Sequence, residues 1–154
     1  MADFQVRLAE LSDIPQLSRL REALWPESSA EEHAGELAEI LAGKIPAILP
    51  MVIFVAAGPE GALLGFLEVG MRSHADGCDW SHAVGYVEGW FVLENSRCRG
   101  IGAALLRAAE DWSRAQGCKE IASDTQIDNG VSQSAHQALG FEIAERAVLF
   151  RKFL

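Results

Sequence analysis

Residues 51–57 read MVIFVAA. So unbroken an apolar run suits a strand buried on both faces, and therefore a central one. A strand of that kind needs a layer on each side of its sheet, and the flanking segments supply them. FQVRLA (4–9) reads as a first strand, and LSDIPQLSRLREALW (11–25) as a helix with Ser12 as N-cap and Pro15 in its first turn. SSAEEHAGELAEILAG (28–43) reads as a second helix, with Ala34, Leu37, Ala38 and Leu41 as its apolar stripe and Gly43 past its end. After MVIFVAA, the turn GPEG and the strand ALLGFLEVGMR (62–72) form a hairpin. A polar loop, SHADGCDWSH, leads to the long strand AVGYVEGWFVL (83–93), where Gly85 and Gly89 signal a bulge or a close backbone approach.

A helix follows from residue 101, with Ile101, Ala104, Leu105, Ala108, Trp112 and Ala115 at helical spacing and Gly117 as its stop. KEIASD is a short strand, NGVSQSAHQALG a short helix ended by Gly140, and FEIAERAVLFRKFL (141–154) a closing strand pattern. The order is β-α-α-β-β-β-α-β-α-β, an α/β chain built on a mixed sheet covered on both faces. With 154 residues, 49% of them hydrophobic, and no linker, repeat or low-complexity stretch, residues 1–154 are expected to form a single domain.

Several function classes drop out on composition. The net charge of -9 disfavours nucleic acid, whose phosphates attract Lys and Arg, and suits a cationic small molecule. No apolar run reaches the roughly 18 residues of a membrane helix, and the N-terminus lacks the pattern of a secretory signal. Cys78, Cys98 and Cys118 have no metal-type spacing and read as free thiols in the reducing cytoplasm, with no metal implied.

Against this acidic background, RCRGIG (97–102) stands out. It lies between the end of a long strand and the start of a helix. A helix start carries about four N–H groups without intrahelical partners and roughly half a positive charge. Glycines let a ligand approach that backbone closely, so Arg97, Arg99, Gly100 and Gly102 frame an anion site suited to phosphate. The span is too short for a Walker loop and lacks the third glycine of the dinucleotide fingerprint.

WFVL, then RCRGIG, then the helix resembles the acyl-CoA site of the GNAT superfamily of N-acetyltransferases, whose signature in this setting is Arg/Gln-x-x-Gly-x-Gly/Ala. Asn129 and HQALGF (136–141) match the superfamily's second block, and the order of elements agrees along the whole chain. More narrowly, LREALWPE, GYVEGWFVL and the stretch from EIASDTQIDNG to VLFRK resemble the aminoglycoside 6'-N-acetyltransferases. The resemblance implies the GNAT acyl-CoA N-acyltransferase fold and acetyl-CoA as cosubstrate. It implies acetylation of a primary amine, the 6'-amine of an aminoglycoside, and with it antibiotic resistance. The backbone amides of Arg97, Cys98, Arg99, Gly100, Ile101 and Gly102 would then hold the CoA pyrophosphate. Phe91 and Val92 would pair with pantetheine and acetyl amides and stabilise the oxyanion, and Asn129 would lie in the cofactor site. A homodimer is implied too, through C-terminal strands that pair or exchange, which the apolar AVLF segment permits.

The chemistry needs a base. A primary amine has a pKa of about 10, so freeing it at neutral pH costs roughly 4 kcal/mol. A carboxylate beside the amine can attract the ammonium and take its proton, directly or through water. Glu88, which strand alternation puts on one face with Tyr86 and Trp90, and Asp124, at the end of a strand, are the candidate pair. His136 stands where the superfamily usually has a tyrosine that protonates the leaving thiolate, and it is the candidate acid. Trp25 could form an apolar wall under a sugar ring, and Glu27 and Glu68 are further acidic groups for a polycation. Two alternatives stay open: another amine acceptor (a polyamine, a peptide or a metabolite), and a protein that binds acyl-CoA or aminoglycoside without turnover.

Overall fold

The computed structural model describes residues 3–44 and 49–154. Its centre is a five-stranded sheet in the order β1 (Gln5–Leu8), β2 (Met51–Ala57), β3 (Leu63–Arg72), β4 (Val84–Val92) and β5 (Ile121–Ser123). Neighbours are antiparallel except β4 and β5, which run parallel. Helix α3 (Ile101–Ala115) makes the crossover between that parallel pair, as a parallel connection requires. Helices α1 (Ile14–Leu24) and α2 (Ala30–Leu41) cover one face of the sheet, where Leu17, Leu20 and Leu37 pack on Ile53, Val55, Leu63 and Phe66. On the other face α3 sets Ile101, Leu105, Leu106 and Ala109 against Ala56, Leu67, Val69 and Val87. Burying each of these Leu, Ile, Val and Phe side chains stabilises the fold by about 1.5–3 kcal/mol. β2 contributes to both layers, as its unbroken apolar run requires.

Local details depart from the sequence reading. Ser12 does not cap α1. It lies in a short 3-10 turn, Leu11–Asp13, and the cap is a reciprocal bond between Glu10 and Asp13, fastened by Arg7 at 2.7 Å. α2 starts on the capping box of Ser29 and Glu32, and its buried face runs through His33 and Leu37, with Ala38 outside. On α3 the buried line is Ile101, Leu105, Ala109 and Ser113, turned by one residue from the expected stripe. Gly85 explains the turn: a Cβ there would collide with the Ser113 side chain, so the helix lies directly on the strand backbone.

The closing segment is the main correction. Residues 141–154 form neither helix nor strand within the chain. Phe141 packs against the α3 layer, but Val148, Leu149 and Phe150 are 73%, 95% and 94% exposed. The period-2 pattern is present, yet among the described residues no strand pairs with it, and β5 is bonded to β4 alone. α4 (Gly130–Ala138), capped by Asn129, leads into this segment.

Candidate active site

The site is built where β4 and β5 part. They pair only at Gly85–Val87 against Ile121–Ser123, after which β4 runs on to Val92 paired with β3 and without β5 on its other edge. A bulge sits at this point: Glu68 of β3 faces Gly89, Val69 faces Val87, and Glu88 is the extra residue. The bulge resets the alternation. Trp90 packs on the α3 side, at Gly102, whereas Glu88 lies on the opposite side with Tyr86. The expected common face of Tyr86, Glu88 and Trp90 is therefore half right.

The backbone beyond the bulge can be followed from one bond. Leu93 donates its N–H to Leu64 of β3. By antiparallel alternation Phe91 also faces β3, while Trp90 and Val92 turn their N–H groups to the open side. The Phe91 N–H is thus spent on the β3 side, and of the expected pair only Val92, together with Trp90, presents its N–H to the open side. The Val92 carbonyl accepts from Arg97 Nε at 3.0 Å, so this arginine ties the loop to the strand end.

Past that contact the chain reaches α3 through Cys98 and Gly100, both at positive φ (58° and 81°). Such φ values suit Gly100 and strain Cys98. Gly100 is the N-cap of α3 and has no side-chain capping bond. Among the described residues, no partner takes the N–H groups from Cys98 to Ala103. Gly102 lies against the Trp90 indole, where a Cβ would sit 3.3 Å from the ring. Arg99 is exposed, 3.8 Å from Asp3. A row of free amides at a helix start is a fit for phosphate oxygens.

On the other side of the sheet from α3 stands an acidic cluster. Arg72, at the end of β3, meets Glu88 through two bonds, Nε–Oε1 at 2.9 Å and Nη2–Oε2 at 2.7 Å. Its guanidinium lies 3.4 Å from the centroid of the Tyr86 ring, and the Tyr86 hydroxyl donates to Asp124 at 2.6 Å. Burial and that bond to Asp124 push the Tyr86 phenol well above its ordinary value, so it stays a donor. Glu88 and Asp124 therefore belong to one connected cluster, as expected, while the two groups that join them, Arg72 and Tyr86, were not singled out. Only the register across the 73–83 loop could have revealed Arg72, and loop length hides register.

Other expected residues take different places. Glu68 is 3% exposed and ion-paired to Arg21, with 2.9 Å between Oε1 and Nε, so it does not reach the cleft. The Arg21 Nε–H is not aimed along that line, so the contact is an ion pair without a hydrogen bond. Burial pushes the Glu68 carboxyl up to about 7 against the pull of Arg21, with Glu36 and Glu88 adding to the rise. Trp25 is half-buried, edge-on to Phe66, with the Arg21 guanidinium 5.2 Å from its ring. It touches the bulge: a Cβ on Gly89 would sit 2.5 Å from its Cη2. Glu27 is exposed and makes no ion pair among the described residues.

His136 is held on every side. Its Nδ1 donates to the Ser132 carbonyl at 2.7 Å, and its Nε2 lies 2.8 Å from Ser123 Oγ. Trp90 and Phe141 pack on the ring, each centroid 5.1 Å away. Both ring nitrogens of the expected acid are thus within hydrogen-bond reach of protein partners. Asn129 spends its side-chain oxygen on Ser132 N–H as the α4 cap, which leaves only its amide NH2 for a ligand.

Comparison with known proteins decides the family. Residues 15–141 match the model of the acetyltransferase (GNAT) family. The aminoglycoside N(6')-acetyltransferase type 1 of Klebsiella aerogenes is 42% identical over 147 residues, covering 96% of this chain and 95% of that one. The chain belongs to the GNAT family, in its aminoglycoside 6'-N-acetyltransferase group. The Serratia marcescens enzyme of the same name is 43% identical, covering 88% of this chain and 89% of its own. Among solved structures, AAC(6')-Iy in complex with the bisubstrate analogue CoA-S-monomethyl-acetylneamine superposes with a TM-score of 0.86 at 36% identity, covering 98% and 99% of the two chains. AAC(6')-Ih from Acinetobacter baumannii gives 0.87 at 30% identity with the same coverage.

As a GNAT enzyme the chain uses acetyl-CoA, and the free amides before α3 are the feature of its own that fits that cosubstrate. No helix among the described residues is long and apolar enough to cross a membrane. No cluster of three or more His, Cys, Asp or Glu among them could hold a metal ion.

Proposed function

We propose that the protein transfers acetyl from acetyl-CoA to the 6'-amine of an aminoglycoside by direct attack. The observation that supports this reading is that one strand, β4, carries Glu88, joined to Asp124 through Arg72 and Tyr86, and leads directly into the free amides that precede α3. The N–H groups from Cys98 to Ala103 take the pyrophosphate. The N–H groups of Val92 and Trp90 take the pantetheine and the acetyl carbonyl. The acceptor ammonium meets Glu88 and gives its proton to that carboxylate or to water held on it, while Asp124 anchors a second amine. The neutral amine then attacks the thioester carbonyl. The oxyanion is stabilised by the open-side amides of β4. Collapse of the tetrahedral intermediate releases the CoA thiolate, which takes up, directly or through water, the proton that the attacking nitrogen loses as the amide forms. Trp25 and Glu27 border the acceptor end.

The working form is a homodimer in the cytoplasm. The exposed apolar segment 143–154 supports the first point, since its pattern is that of a strand without a partner, and a second copy supplies one. The unpaired state of Cys78, Cys98 and Cys118 supports the second.

Thiol release from acetyl-CoA, measured in parallel with kanamycin, tobramycin, spermidine and a lysine peptide, tests the reading. Turnover with the aminoglycosides alone is expected. Turnover confined to spermidine or the peptide overturns the acceptor assignment. Silence on all four with acetyl-CoA bound overturns the enzyme reading.

A further inference from the structure

The acidic cluster carries a cation of its own. Arg72 occupies both carboxylate oxygens of Glu88 and covers the face of the Tyr86 ring, whose hydroxyl in turn holds Asp124. Among the described residues no other cation touches Glu88 or Asp124. A carboxylate beside an aromatic face is what recognises an ammonium group, and here a guanidinium already fills it.

We infer that Arg72 is a resident placeholder for the acceptor's ammonium, displaced from Glu88 and the Tyr86 ring when the acceptor binds, and thereby a determinant of selectivity for polycations. The inference rests on the reading that Glu88 meets the reacting amine. Exposure makes the exchange feasible: the Arg72 and Glu88 side chains are 45% and 36% exposed, so the freed guanidinium passes directly into water. The nearby Arg21–Glu68 pair, at 6% and 4%, has no such route. Exchange also sets a threshold. A monoamine gains only what Arg72 loses at Glu88. A polycation that engages Asp124 with a second amine gains a contact Arg72 does not make, since Tyr86 alone reaches Asp124. The placeholder keeps Glu88 paired between turnovers and discriminates against small single amines.

The test reads Arg72 directly. In the wild-type protein, the side-chain Nε–H resonance of Arg72 is followed by nitrogen NMR during titration with tobramycin. Displacement is expected to move it to the solvent-exposed position. In R72Q, the KM for tobramycin is expected to fall by about threefold to tenfold at low salt, as for loss of an exposed ion pair. The KM for acetyl-CoA should stay constant, and activity on a simple monoamine should rise relative to tobramycin. R72K, which keeps the charge and loses the two-bond geometry, should fall between. An Arg72 signal unmoved at saturating tobramycin, or a KM for tobramycin that rises in R72Q, overturns the inference. E88Q separates the two failures. Acceptor kinetics unmoved by E88Q overturn the reading beneath the inference, whereas dependence on Glu88 with an undisplaced Arg72 overturns the inference alone.

Discussion

Two acid–arginine pairs lie side by side at the β3–β4 bulge, and they behave as opposites. Glu68 with Arg21 is sealed beneath α1, while Glu88 with Arg72 stands in the cleft. The distances are alike, 2.9 and 2.7 Å. Burial makes the difference. A buried pair pays for desolvation and is strongly destabilising to break. An open pair is worth about 0–1 kcal/mol and can change partners. The same chemistry thus serves as a joint between α1 and β3 in one place and as an exchangeable site in the other, one strand apart.

The sharpest break of that comparison is on the buried side. Arg21→Met leaves Glu68 without its counter-ion and should cost about 3–5 kcal/mol of folding stability at about pH 9, where the folded protein holds Glu68 ionised, read by denaturant unfolding. Arg72→Met should cost about 0–1 kcal/mol. Equal losses would erase the distinction. On the open side, Glu88→Gln should leave the melting temperature nearly unchanged and lower kcat about 100-fold to 10,000-fold, the range for a lost general base. Retained turnover would remove Glu88 from the chemistry.

Glu68 also sharpens the contrast through pH. Its carboxyl is raised from the ordinary value near 4.5 to about 7 in the folded state. Between those values the unfolded chain releases the proton and the folded chain keeps it, so stability should fall as pH rises from about 4.5 to about 7 and then level off. The full drop is on the order of 3 kcal/mol, and E68Q should flatten it. The bulge itself gives a further test. Gly89→Ala drives a methyl into Trp25 and should cost about 1–3 kcal/mol, with a higher KM for the acceptor and little change for acetyl-CoA.

What the sequence could and could not reveal follows the same division between local and nonlocal information. The strand–glycine–helix passage at 97–102 is local, and its free amides stand where the helix-start rule puts them. Gly85 and Gly89 marked close approaches, and both are found, against Ser113 and Trp25. Glu88 and Asp124 fell in one cluster. Failures came where one residue changes the phase. The bulge moved Trp90 away from Glu88 and turned Phe91 toward β3. Glu68 stood as a further acidic group for the polycation because nothing within its own strand announces Arg21, 47 positions earlier. The period of residues 141–154 was legible, but period cannot say whether the partner strand lies in the same chain. His136 was placed correctly on α4, and only the contacts with Ser123 and Ser132 reveal how its nitrogens are spent.

The most direct measurement compares two acceptors that differ at one atom: an aminoglycoside with a 6'-amine and the otherwise identical compound with a 6'-hydroxyl. Thiol release from acetyl-CoA is followed for each. The account predicts turnover with the amine and none with the alcohol, together with a product that carries one acetyl group at the 6' nitrogen. Equal rates with both, or acetylation at another amine, would contradict it.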